Sequence, residues 1–118
     1  MNLQITMLAL SLSEGITLVK KSNVDPKKFL EVLNSTYFKT GMSENKAFKM
    51  IEGNHDVTFT LTNLKKDITT MVNTAKDLGV ELPITNKAEQ IYQNAINEGL
   101  GNLDYTGIIE YIKKINND

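Results

Sequence analysis

The sequence predicts an all-α fold, a bundle of about six helices with a long N-terminal helix. Three observations carry that reading. Apolar residues recur at helical spacing in segment after segment, most clearly from Phe59 to Pro83, where Leu61, Leu64, Ile68, Met71, Ala75 and Leu78 advance in steps of three and four over about five turns. Helix start and stop residues fall at the ends of those segments. Strand-like alternation occurs once, over Asp56–Thr62, and a lone strand with no partner is better read as a loop entering a helix.

The first helix runs from about Asn2 to Lys21, some 30 Å at ~1.5 Å per residue. Its early part is apolar on nearly every side (Leu3, Ile5, Met7, Leu8, Ala9, Leu10, Leu12), and Glu14 and Gly15 interrupt the run. A helix apolar all round is buried at a bundle centre or against a partner surface, and in a chain this short that favours a dimer. Asp25 as N-cap and Pro26 at the first helical position open a second helix, which buries Phe29, Leu30 and Leu33. Ser35 to Gly41 reads as a loop. A short helix begins at Ser43-Glu44-Asn45-Lys46 and ends near Gly53, with Ala47, Phe48, Met50 and Ile51 inward. Asn54 to Thr58 is a loop. The long helix follows and is stopped by Gly79. Pro83 starts the next, with Ile84, Ala88, Ile91, Tyr92, Ala95 and Ile96 inward, and Glu98-Gly99-Leu100-Gly101 ends it. Asp104 caps a last helix that buries Tyr105, Ile108, Ile109, Ile112 and Ile115. Loops are short and no repeat is visible, so residues 1–118 read as a single helical domain.

Composition narrows the function classes. A chain 41% hydrophobic and 23% charged is too apolar to be disordered. With 13 basic and 14 acidic residues, and lysines scattered as pairs and singles, it lacks the basic excess that nucleic-acid binding relies on. The absence of Cys removes disulfides, thiolate metal sites and cysteine nucleophiles. The lone His55 sits in the loop-like run Glu52-Gly53-Asn54-His55-Asp56 and reads as a solvated histidine; no metal site is expected. The longest unbroken apolar run is Met7 to Leu10, far short of a membrane span, and no signal segment precedes it, so the chain reads as cytoplasmic with no membrane role.

No complete active site is visible. A single loop His supports no Ser/His/Asp set. Gly99-Leu100-Gly101 resembles a dinucleotide loop only locally: it follows a helix, not a strand, and Asp104 would repel phosphate. On the long helix, Lys66 lies almost opposite the apolar stripe and Asp67 at its border. Helix geometry alone leaves open whether Lys66 is merely solvated or faces a cleft.

Phe59, then Leu64-Lys65-Lys66-Asp67, then Gly79-Val80-x-Leu82-Pro83, Tyr92, Gly99-x-Gly101 and Asp104, in this order and spacing, resemble the C-terminal helical domain of the β-hydroxyacid dehydrogenases. That group includes 3-hydroxyisobutyrate dehydrogenase and 2-hydroxy-3-oxopropionate reductase, with an architecture like the C-terminal part of 6-phosphogluconate dehydrogenase. The likeness covers essentially the whole chain, including the first helix, which Asn2 begins.

The resemblance implies an N-terminal Rossmann domain that binds NAD or NADP, followed by an all-α domain that forms a homodimer. It implies a catalytic lysine near the start of the long first helix in a Lys-x-x-x-Asn pattern, the Asn holding a small hydroxy-acid substrate. Asn2 stands where that Asn is expected, which puts the lysine upstream of Met1. Lys66 is similar to the family lysine that contacts the cofactor at the interdomain cleft, with Asp67 beside it, and Phe59 to the aromatic lining the same cleft. Thr58 stands where the family often has Gly. The Rossmann half and the catalytic lysine are both missing from this sequence. It is therefore expected to be a truncated piece of an NAD(P)-dependent 3-hydroxyacid dehydrogenase, inactive alone and binding no cofactor alone. The alternative reading is a free-standing helical interaction or dimerisation module.

Overall fold

The computed structural model describes all 118 residues, and its regular elements are all helices. α1 spans Asn2–Lys21, α2 Pro26–Asn34, α3 Gly41–Asn45, α4 Ala47–Glu52, α5 Leu61–Asp77, α6 Pro83–Asn97 and α7 Ile108–Ile115, with a 3-10 turn at Tyr105–Gly107 before α7. The expected all-α class holds, with seven helices in place of about six. The added helix comes from a break at Lys46. Thr40 and Ser43 form a capping box that starts α3 two residues earlier than expected, and Lys46 then turns inward and divides α3 from α4. The strand-like run makes a single isolated bridge, Thr60 to Asp104, beyond which α5 begins at Leu61 with Thr60 as its N-cap.

α1 is the central helix and packs on α2, α5, α6 and α7. Its length and composition would suffice to cross a membrane, which counting unbroken apolar runs does not reveal; in this fold it is a core helix. Its buried face consists of Thr6, Ala9, Leu12, Ser13, Ile16 and Thr17, whereas Leu3, Ile5, Met7, Leu8 and Leu10 are only half-buried. Small and hydroxylated residues let neighbouring helices approach closely. The hydroxyls of Thr6 and Ser13 are satisfied within the helix, donating to the carbonyls of Asn2 (2.8 Å) and Ala9 (2.7 Å).

The remaining apolar stripes face α1, with corrections at helix ends. α5 buries Leu61, Leu64, Ile68, Val72 and Ala75, with Met71 half-buried and Leu78 exposed. In α6, Thr85 is buried while Ile84 is exposed. Ile115 and Phe48 are also exposed. Leu78, Ile84 and Ile115 each sit at the tip of a helix. At Gly79 the backbone turns left-handed (φ 70°), which a side chain would resist, and this ends α5 as expected.

Asp104 does more than cap the last helix. It caps the 3-10 turn, and its carboxylate, 1% exposed, collects six donors. Thr58 donates through its backbone N–H and its hydroxyl (both 2.9 Å), and Phe59 through its N–H (3.2 Å). Thr106 donates through its hydroxyl (2.5 Å) and N–H (3.3 Å), and Lys46 through Nζ (2.9 Å). The Lys46 ammonium also lies 5.0 Å from the centre of the Tyr105 ring. Burial on its own would raise the Asp104 pKa. The hydrogen bonds from Thr106, Thr58 and Lys46 outweigh it and hold the carboxyl well below the usual carboxylate range.

Two outcomes are expected. Asp104→Asn removes the charge that Lys46 faces and replaces one of the two acceptor oxygens by a donor, so urea denaturation should report a loss of about 3 kcal/mol. A folded-state pKa depressed below the unfolded value gives stability that is present above the unfolded pKa and lost as pH falls beneath it. The wild type should therefore lose more stability than Asp104→Asn between about pH 5 and pH 2; parallel acid titrations of the two would count against a buried, paired carboxylate.

Candidate functional site

Two residues 65 apart in sequence meet where the first turn of α1 reaches the middle of α5. The Asn2 side-chain amide donates from Nδ2 to Oδ2 of Asp67, both residues half-buried. The Asn2 carbonyl also accepts from the buried Thr6 hydroxyl at 2.8 Å. Asn2 is thus held through both main chain and side chain, although Met1 before it is 95% exposed. The placement follows from local rules. Asn2 is the first residue of α1, and Asp67 lies about 40° beyond Met71 on the helical wheel, at the edge of the α5 stripe.

Lys66 points elsewhere. About 100° round the helix from Asp67, it is exposed and takes part in no ion pair within the chain. The site therefore has two chemical parts: a fixed Asn–Asp hydrogen bond and, next to it, a free ammonium on a flexible stem. The exposed ammonium suits an anionic oxygen, while the Asn2 amide, held at one end by Asp67, keeps its carbonyl oxygen and one N–H for a further partner.

Phe59 is not drawn into this pair. It lies two residues before α5, at least about 12 Å along the chain direction from Asp67. Its ring packs half-buried against the core, while its N–H and carbonyl engage Asp104 (3.2 Å) and the Tyr105 N–H (2.8 Å). Thr58, where a Gly was the family expectation, uses its hydroxyl on Asp104.

The solvated reading of His55 is corrected. Its side chain is 6% exposed, and Nε2 lies 2.7 Å from Oε2 of Glu110 on α7. Local sequence gave no signal for this, because the partner is 55 residues away. The Asp104 cluster was equally hidden, apart from the capping role. Gly99 and Gly101 form the expected turn between helices: the Gly101 carbonyl accepts from the Thr62 N–H (3.1 Å) and hydroxyl (2.8 Å), and a Cβ there would run into that hydroxyl. No group of three or more potential ligands is arranged to hold a metal ion.

A family described as "NAD-binding of NADP-dependent 3-hydroxyisobutyrate dehydrogenase" matches residues 1–112. The chain is 29% identical over 103 residues to glyoxylate/succinic semialdehyde reductase 2, chloroplastic, of Arabidopsis thaliana, covering 87% of this chain and 29% of that protein. It is 28% identical over 112 residues to cytokine-like nuclear factor N-PAC of Aedes aegypti, covering 92% of this chain and 20% of that protein. The crystal structure of 3-hydroxyisobutyrate dehydrogenase from Salmonella typhimurium superposes with a TM-score of 0.86 at 21% identity, covering 93% of this chain and 39% of that one, which establishes a shared fold. The chain thus spans between a fifth and two fifths of the length of these proteins. It belongs to the NAD-binding domain family of 3-hydroxyisobutyrate dehydrogenase-type enzymes.

Because Lys66 makes no contact that the fold uses, Lys66→Ala should change unfolding free energy by less than about 0.5 kcal/mol in urea. A larger loss would reveal a structural partner for this lysine.

Proposed function

We propose that this chain, as a member of that family, forms the C-terminal wall of the substrate and cofactor cleft of an NAD(P)-dependent 3-hydroxyacid dehydrogenase, and the surface through which the enzyme dimerises. The observation that carries the reading is the contact of Asn2 with Asp67. The family resemblance puts Asn2 on the substrate from one helix and Lys66 and Asp67 on the cofactor side from another, without reference to any contact between them. The first turn of α1 meets Asp67, and Lys66 stands next to Asp67 in sequence on the outward face of the same helix, which supports the reading.

The donor set suits such a cleft wall. Lys66 offers an unpaired ammonium to an anionic or carbonyl oxygen of the dinucleotide. Asn2 offers an oriented amide to the hydroxy acid. With no strand leading into a glycine loop, these residues complement a dinucleotide site and do not build one alone. When bound, the nicotinamide supplies the acceptor for a hydride leaving the hydroxyl-bearing carbon. The work of this chain is positional. Asn2 fixes the hydroxy acid, Lys66 neutralises charge at the cofactor edge, and Phe59 contributes an apolar surface at the base of α5.

The dimer reading rests on one side of α1, where Leu3, Met7 and Leu10 stay half-buried and Leu18 is exposed. A second reading, a helical interaction module without catalysis, has one observation in its favour: the relatives include a protein described as a nuclear factor.

These readings separate experimentally. The 118 residues alone should oxidise no hydroxy acid and give no micromolar heat of NAD or NADP binding in calorimetry; a micromolar dissociation constant would mean the chain builds a dinucleotide site by itself. In a full-length protein carrying this domain, Lys66→Ala should raise the cofactor KM about ten-fold, the effect of losing one charged hydrogen bond. Unchanged kinetics would return Lys66 to the role of a surface residue. Sedimentation at high micromolar concentration should give a dimer, and a clean 13.2 kDa monomer would argue against it.

A further inference from the structure

We infer that Asp67 is a positioning residue for Asn2 and not a cofactor contact: it selects which face of the Asn2 amide the substrate meets. The inference rests on the reading of Asn2 as the substrate-holding residue. An Asn amide has two chemically opposite ends, a carbonyl acceptor and an NH2 donor, and rotation by half a turn exchanges them. A carboxylate only accepts. Against Asp67, therefore, one orientation makes a charge-assisted hydrogen bond, while the other sets the amide oxygen against a carboxylate oxygen. The observed bond, Nδ2 to Oδ2, is the attractive one. It leaves Oδ1 and the second N–H of Asn2 to project away from Asp67.

The surroundings sharpen the preference. Both side chains are half-buried, where reduced water contact strengthens the right pairing and penalises the wrong one. Asn2 lies in the first turn of α1, the part of a helix that frays most readily. The Thr6 hydroxyl on its carbonyl fixes the main chain, so the amide torsion is the remaining freedom, and Asp67 removes it. Asp67 has no ion-pair partner within the chain: it takes part in none of the seven pairs the structure contains. Its neighbour Lys66, on a different face of α5, remains the cofactor-facing group. For the substrate, the consequence is that Asn2 presents an acceptor, Oδ1, suited to a hydroxyl donor on the hydroxy acid, together with one N–H for a substrate oxygen.

Asp67→Asn is the informative variant. An Asn there still accepts from Asn2, so the tether between α1 and α5 survives, but it also donates, so both orientations of Asn2 become equally favourable. In a full-length protein carrying this domain, Asp67→Asn should keep the melting temperature while lowering kcat/KM for the hydroxy acid about ten-fold, with the cofactor KM unchanged. Asn2→Ala should lower the same kcat/KM, and adding Asp67→Asn to it should cost nothing further. On the 118 residues themselves, the two side-chain NH2 proton resonances of Asn2 should lie far apart in the wild type and draw together in Asp67→Asn, a readout independent of turnover. A rise in cofactor KM alone would make Asp67 a direct cofactor contact and overturn the inference. Unchanged kinetics in Asp67→Asn, with a loss in Asn2→Ala, would leave Asp67 a plain tether and overturn it too, while the reading of Asn2 stands. Unchanged kinetics in Asn2→Ala would remove the reading of Asn2 and this inference with it.

Discussion

The buried Asp104 carboxylate is the constraint on which the rest of the bundle depends. Taking a lone carboxylate out of water costs several kcal/mol, and the cost is tolerable only with a counter-charge and a full set of donors. Lys46 supplies the charge, and Thr58, Phe59 and Thr106 supply the rest. These donors come from three places: the break between α3 and α4, the loop entering α5, and the turn entering α7. One side chain therefore fixes where three segments begin. It also explains why α3 and α4 are two helices. Lys46 cannot both continue a regular helix and aim its ammonium at Asp104, and its backbone opens to φ −112°.

Helical period was legible in the sequence because α5, α6 and α7 bury apolar residues against α1. The limits of that reading are physical. Period identifies a face, but it does not say where along the face the neighbour ends. Leu78, Ile84 and Ile115 all satisfy the spacing, yet each lies at a helix end and is exposed. Val72 was passed over for Met71 because both positions border the stripe, and only packing decides between them. α1 misled in the opposite sense. Its buried stripe, Thr6, Ala9, Ser13 and Ile16, has perfect three-and-four spacing but is written in small and polar residues, so hydrophobicity points to the larger residues around it. Close helix packing around α1 needs small side chains, and their hydroxyls are hidden by bonding to their own helix.

The site was legible only in part, and for a different reason. The ordered pattern from Phe59 to Asp104 resembled a known family, and that family is the one to which the chain belongs. Which residues touch which was not contained in the pattern. Asn2 and Asp67, like His55 and Glu110, pair across more than fifty residues, and no local rule couples such positions. Where the sequence placed His55 in a polar loop, the tertiary fold laid α7 over it and gave it a carboxylate partner.

The two polar clusters act in series. Asp104 holds the Thr58–Phe59 backbone, Thr60 caps α5 immediately afterwards, and α5 then carries Asp67 as a rigid rod to the first turn of α1. Thr60 and Asp67 are separated by about 10 Å of helix. A tilt of roughly 5° at the Asp104 end would thus move Asp67 by ~1 Å, a displacement of the size that costs an enzyme about a hundred-fold when it falls on a positioning group. Lys66 is far more tolerant of such a tilt, because its four-carbon stem can swing back to the same point. The rigid acid and the flexible base stand side by side in sequence, and helix geometry sends one to the packed edge and the other to solvent. Under the proposed roles, exact placement at the substrate rests on a residue tied into the fold, while charge at the cofactor edge is left to one that is free to adapt.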